Sequence, residues 1–161
     1  MREDTYIWHG DGDAHQAAAA SGGHVGGLSA AIAYGWSTAV EHSVFCYTDQ
    51  AFPDFEGKPS PRIYAAGTWV RKSELALPMK PDVGVSLRRD GSGKSAPTSD
   101  CLRALVECCL DTLVDGSTDL GEILRSAQSE GITEEAIVAE AALHGSAVEI
   151  HVRDRVRRHF R

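Results

Sequence analysis

Thr98-Ser-Asp-Cys-Leu-Arg-Ala-Leu-Val-Glu-Cys-Cys-Leu-Asp-Thr-Leu-Val114 sets Leu102, Leu105, Val106, Cys109, Leu110, Leu113 and Val114 at i, i+3, i+4, i+7 spacing. Held through three turns, that spacing gathers apolar side chains into one stripe of an α-helix. Thr98, Ser99 or Asp100 can accept hydrogen bonds from the free N–H groups at its start, and Asp115-Gly116 ends it. Burying the larger of these side chains is worth about 1.5–3 kcal/mol each, so the stripe belongs to a core. Its second use would be a homodimer interface through residues 102–114, with Trp8, Trp36 and Trp69 as further anchors.

Downstream the helical pattern continues. Residues 119–130 and 134–143 read as two shorter helices, divided by Gly131 and with Thr133 as the N-cap of the second. Residues 147–160 fit a helix through Val148, Val152, Val156 and Phe160, or a strand through Val148, Ile150 and Val152, and helix is preferred. Upstream, residues 5–8 suggest a short strand, residues 14–20 a helix broken by glycines, and residues 28–40 a resumed helix. Residues 43–48, 62–72 and 83–88 carry the β-branched and aromatic residues of strands, between loops rich in Gly and Pro. The expected fold is α+β: a small antiparallel sheet with an N-terminal helix, followed by a C-terminal helical region of three to four helices. Residues 1–115 form the α+β part and 116–161 the helical part, packed as one unit.

Composition sets the outer bounds. With 161 residues, 42% hydrophobic and 24% charged, the chain has the make-up of a globular domain with one core. No apolar run approaches the roughly 18–20 residues of a membrane span, and Met1-Arg-Glu-Asp4 lacks the positive charge of a secretion signal. A cytoplasmic protein with no membrane partner is expected. Cys46, Cys101, Cys108 and Cys109 are then reduced thiols, in neither a CxxC nor a structural-zinc spacing. Only four lysines accompany twelve arginines, which suggests a bacterial genome of high GC content.

The net charge of −7 disfavours a protein basic all over, but the charge is uneven. Residues 149–161 hold five arginines against two acids, which leaves about −10 for the rest. Within the same region, residues 131–148 (GITEEAIVAEAALHGSAV) place Ala142 at a turn, Leu143 after it and Val148 five positions later. This arrangement resembles a bacterial helix-turn-helix, in which a small residue forms the turn and a valine anchors the recognition helix. Val138 and Ala142 depart from the usual alanine and glycine, and Glu149 sets an acid at the start of the second helix. The resemblance implies DNA as partner, with His151, Arg153, Arg155, Arg157 and Arg158 supplying phosphate contacts.

Two other clusters carry chemistry. His9-Gly-Asp11-Gly-Asp13-Ala-His15 sets two imidazoles and two carboxylates within seven residues, a donor set suited to a divalent metal that activates water. His24 or His42 could complete the shell. Ser21-Gly22-Gly23-His-Val-Gly26-Gly27 is similar to a flavin-type dinucleotide fingerprint, with Ser21 in place of the first glycine and Ala17 to Ala20 where a hydrophobic strand should precede. Gly22, Gly23, Gly26 and Gly27 are thus candidate anion-binding positions. Asp90-Gly-Ser-Gly-Lys94-Ser95 ends like a P-loop, but Arg88 stands at its first glycine and Pro97 interrupts the helix to follow. Three classes of function stand: a regulatory or nucleic-acid-binding protein with a helical reader, a small metal-dependent hydrolase using the histidine loop, and a non-catalytic binding or dimerisation module.

Overall fold

The computed structural model describes residues 22–39, 43–48, 52–53, 59–60, 62–65, 68–89, 95–112, 114 and 118–160. The strand and helix expected at 5–8 and 14–20, and the whole His9, Asp11, Asp13, His15 loop, lie outside them. In chain order come β1 (His24–Val25), α1 (Gly27–Ala33), β2 (Ser43–Tyr47), β3 (Phe52–Pro53), β4 (Pro59–Ser60), β5 (Arg62–Ala65), β6 (Thr68–Lys72), β7 (Val85–Arg89), β8 (Ser95–Ser99), α2 (Cys101–Leu110), α3 (Thr118–Ser129), α4 (Glu134–Ala142) and α5 (Ser146–His159). The class is α+β, and three helices make up the C-terminal region.

Six strands form one sheet in the order β5-β6-β2-β1-β8-β7, while β3 and β4 pair separately. The sheet is mixed. The pairs β5–β6, β1–β2 and β7–β8 are antiparallel, but β2 runs parallel to β6 (Val44↔Val70) and β1 parallel to β8 (Val25↔Thr98). A parallel pair requires a crossover of a dozen residues or more, and the chain supplies both with long connections. The segment expected as one strand over residues 62–72 is instead the hairpin of β5 and β6. Strand β8, with Pro97 in it, carries little strand character in its composition. Proline fits there because β1 is two residues long and asks few ladder bonds of its neighbour.

Helix α2 is the hub, touching α1 and β8 on one side and α3, α4 and α5 on the other. One buried cluster runs from Ala31 and Trp36 through Leu105, Val106, Cys109 and Leu110 to Ile123, Leu124, Ile137, Val148, Val152 and Val156. Among the described residues, most of the apolar stripe read as a possible dimer interface is covered by helices of its own chain. Thr133 caps α4 by accepting from the Ala136 N–H (3.2 Å), and Gly145 at φ 121 supplies the left-handed turn into α5.

Candidate functional site

Register assembles the site. His24 on β1 faces Tyr47 on β2, and Ser73, just past the end of β6, donates its N–H to Cys46 O (2.9 Å). His24, Tyr47 and Ser73 thus stand in a row across three adjacent strands, with the His24 and Tyr47 rings stacked at 5.5 Å.

Over this row lies the polar edge of α2. Arg103, Glu107 and Asp111 recur every four residues, forming a second stripe on a helix whose other stripe is apolar. All three are buried, and Glu107 is completely so. Its Oε2 meets His24 Nε2 at 2.6 Å and Arg103 Nε at 3.2 Å, while Oε1 accepts from the Gly27 N–H (3.3 Å) and the Ser99 hydroxyl. Asp111 accepts from the Tyr47 hydroxyl at 2.9 Å. A buried carboxylate with a full set of donors and one paired guanidinium meets the conditions under which such a charge is tolerated.

Glycine makes room for it. A Cβ on Gly26 would fall 2.4 Å from Glu107 Oε1 and 2.5 Å from Ser99 Oγ. Gly27, at φ +53, leaves the space that the Tyr47 hydroxyl occupies. Of the four glycines expected to bind an anion, Gly26 and Gly27 border an internal one, the Glu107 carboxylate, while Gly22 and Gly23 line an open cavity.

The electrostatics follow from this enclosure. Burial alone would raise Glu107, but hydrogen bonding and charge from His24, the Arg103 charge and the Ser99 hydroxyl together hold its carboxyl below the ordinary value. Burial, followed by the charges of Asp111 and Glu107, pushes Tyr47 well above the usual phenol value, so its hydroxyl keeps the proton that it donates. The Ser73 hydroxyl opposes that rise in part, but makes no well-formed hydrogen bond. Burial raises Cys108 well above a normal thiol and pushes Cys109 up to about 12, which leaves both thiols protonated and inert as nucleophiles.

A cavity of about 510 Å³ opens beside the cluster, lined by His24, Tyr47, Lys72, Ser73 and Arg103 among others. Its size suits a small molecule. Residues 78–82 supply much of the facing wall. Arg103 Nη1 fixes that segment by donating to Lys80 O (2.6 Å) and Val83 O (2.5 Å), and the Lys80 N–H donates to His144 Nδ1 (3.1 Å). Glu107 accepts at Nε2 of His24, so a ring with one hydrogen would carry it there and its lone pair on Nδ1. That is the arrangement of a general base held in one tautomer by a carboxylate.

The arginines expected to touch nucleic acid lie elsewhere, on α5. Arg153 pairs with Glu149, Arg157 with Glu134 (3.0 Å) and Arg158 with Asp154 (2.6 Å), so their charge is partly spent within the protein. Arg155 acts on Cys109 from the same helix, and His151 Nε2 is buried without a hydrogen-bond partner. None of them meets the cavity. Among the described residues, no group of three or more His, Cys, Asp and Glu side chains is placed to hold a metal ion.

The histidine that builds the site, His24, enters the sequence reading only as a possible metal ligand, and Glu107 and Arg103 do not enter it. The available signal was three charged residues at i, i+4 and i+8 on a helix otherwise fit for a core. Comparison with protein-family models, curated proteins and solved structures yields no match to this chain, so its chemistry rests on these residues alone.

Proposed function

We propose that this protein is a small acid–base enzyme in which His24 takes a proton from a substrate, or from a water beside it, within the cavity under residues 78–82. The observation that carries the reading is the His24 ring itself, held by Nε2 on a buried carboxylate at 2.6 Å at the edge of the cavity. Glu107 is a positioning residue. It fixes the tautomer and stabilises the imidazolium that forms, and Arg103, Ser99 and the Gly27 N–H keep it ionised. The site's polar groups are buried and preorganised, which strengthens electrostatic interactions with a reacting group.

The test is a screen of small esters and amides, read by product release, and of carbon acids, read by solvent-deuterium incorporation. Positioned acid–base catalysis contributes about 10²- to 10⁴-fold, so His24→Asn should slow turnover by that order and Glu107→Gln by a smaller factor. A substrate that both variants turn over at the wild-type rate would remove His24 from the chemistry. ¹⁵N NMR of the imidazole provides a direct check, with the hydrogen expected on Nε2.

A second reading keeps the helical reader and makes the cavity the effector site of a regulatory protein. What supports it is the pair α4 and α5, joined by residues 143–145, with Val148 buried and Ala147 and Ile150 exposed near the start of the second helix. DNA binding measured by anisotropy over a salt series should then weaken with salt, and Arg155→Ala with Arg158→Ala should flatten the slope by about two. An unchanged slope removes this reading.

A further inference from the structure

We propose that the corner of the cavity formed by Lys72 and Ser73 is an oxyanion subsite, which holds a carboxylate or phosphate group of the small molecule whose other end reaches His24. The proposal deepens the acid–base reading of the same cavity and rests on it for the His24 end only.

Ser73 is the first observation. It is 7% exposed, its hydroxyl stands near Tyr47 but makes no well-formed hydrogen bond, and it lines the cavity. A buried hydroxyl left unpaired costs free energy unless a ligand or water completes it. Lys72 is the second. It ends β6, lines the same cavity and has no carboxylate within ion-pair distance among the described residues. Adjacent residues face opposite sides of a strand, but the strand stops at Lys72, and both neighbours border the opening.

Arg103 and Tyr47, also in the wall, are already engaged. Arg103 is neutralised by Glu107 and tied to two backbone carbonyls, and the Tyr47 hydroxyl donates to Asp111. Asp82 also lines the cavity, but it is exposed in the turn at residues 81–84, where water screens it. Among the described residues, one ammonium and one hydroxyl thus remain at a single corner. An oxyanion accepts from both, whereas a neutral carbonyl would leave the ammonium without a counter-charge. Ser73 lies two strands from His24, about 10 Å between backbones, so a short acid can bridge the two.

The experiment is a ¹H–¹⁵N NMR titration of the full chain, in a buffer free of oxyanions, with sodium succinate and separately with sodium phosphate. Saturable shifts at Gly23, Thr48 and Ser73 in the millimolar range or tighter are expected with at least one of them, and the tighter anion identifies the group. Lys72→Met and Ser73→Ala should each weaken binding about tenfold, which is about 1.4 kcal/mol, while Lys72→Arg restores it to within a few-fold. Ser73→Ala deletes an unpartnered hydroxyl and should keep a dispersed spectrum. Arg157→Ala, on α5, should bind as wild type does.

Absence of saturation with both anions, or wild-type affinity in both Lys72→Met and Ser73→Ala, overturns the subsite. Saturable binding by a protein whose turnover His24→Asn does not slow overturns the acid–base reading and leaves the subsite standing. His24-dependent turnover of an uncharged substrate with no anion binding overturns the subsite alone.

Discussion

The two sides of α2 are built on opposite principles. Toward α3, α4 and α5 it presents Leu105, Val106, Cys109 and Leu110 to a wholly apolar cluster, where any well-packed hydrophobe of the right size would serve. Toward β1 and β8 it presents Arg103, Glu107 and Asp111, buried as deeply but satisfied only by particular partners at particular distances. An apolar interface tolerates change and a buried polar one does not, since every lost partner leaves another group stranded. The polar side offers stability no cheaper than the apolar side does. It is also the side that borders the cavity.

Glu107→Ala should break the contrast hardest. It strands Arg103, His24, Ser99 and the Gly27 N–H together, and a loss of about 3–5 kcal/mol in urea unfolding is expected. A loss below about 1 kcal/mol would mean that water readily replaces the carboxylate. Gly26→Ala tests the same pocket from the other wall. Its backbone is extended at φ −161, so the cost comes from the Cβ displacing Glu107 and Ser99 rather than from backbone strain. A loss of about 2–3 kcal/mol is expected, whereas Gly131→Ala, with open space around it but φ +92, should lose only about 1 kcal/mol.

On the apolar side, Leu124→Ala should cost about 2–5 kcal/mol by cavity formation, and by the same amount at pH 5 and pH 7. Glu107 behaves differently. Its folded carboxyl lies below the ordinary 4.5, so the stability it contributes is fully present above that value and drains away as pH falls through the lower, folded one. Glu107→Gln should flatten this acid limb of the unfolding curve, and an unaltered limb would assign acid lability to other carboxylates. Glu140 carries the reverse sign, because burial raises it despite the Arg103 charge. Protonating it favours the fold as pH falls through its raised value, so Glu140→Gln should lift the melting temperature slightly at pH 7 and less at pH 4. The smallest effect belongs to Arg157→Ala, an exposed pair with Glu134, which should stay within about 0.5 kcal/mol of wild type.

What could be read in the sequence follows the same division. Periodicity located α2 and the three C-terminal helices, with Thr133 as a cap, because local apolar spacing there coincides with tertiary packing. It found β2, β7 and the β5–β6 segment, but it missed β8 and the parallel pairings, which join residues far apart and leave no local trace. The site was the least legible part. Glu107 and Arg103 look like the solvent face of an amphipathic helix, and only the arrival of β1 and β8 over them makes them interior. Gly23, Gly26 and Gly27 each border a close approach, but what approaches them is the chain's own atoms.

The β1–β8 pairing also sets an order of events. Val25 waits for Thr98, and His24 for Glu107, 83 residues later, so neither half of the site exists until the chain has closed a loop of most of its first hundred residues. Helices α3, α4 and α5 need only near neighbours and can form and dock quickly, whereas closure of the sheet's centre is the slow, high-contact-order step. During synthesis the ribosome must release α2 before His24 can be oriented. A chain that ends before residue 107 therefore lacks the carboxylate that holds His24.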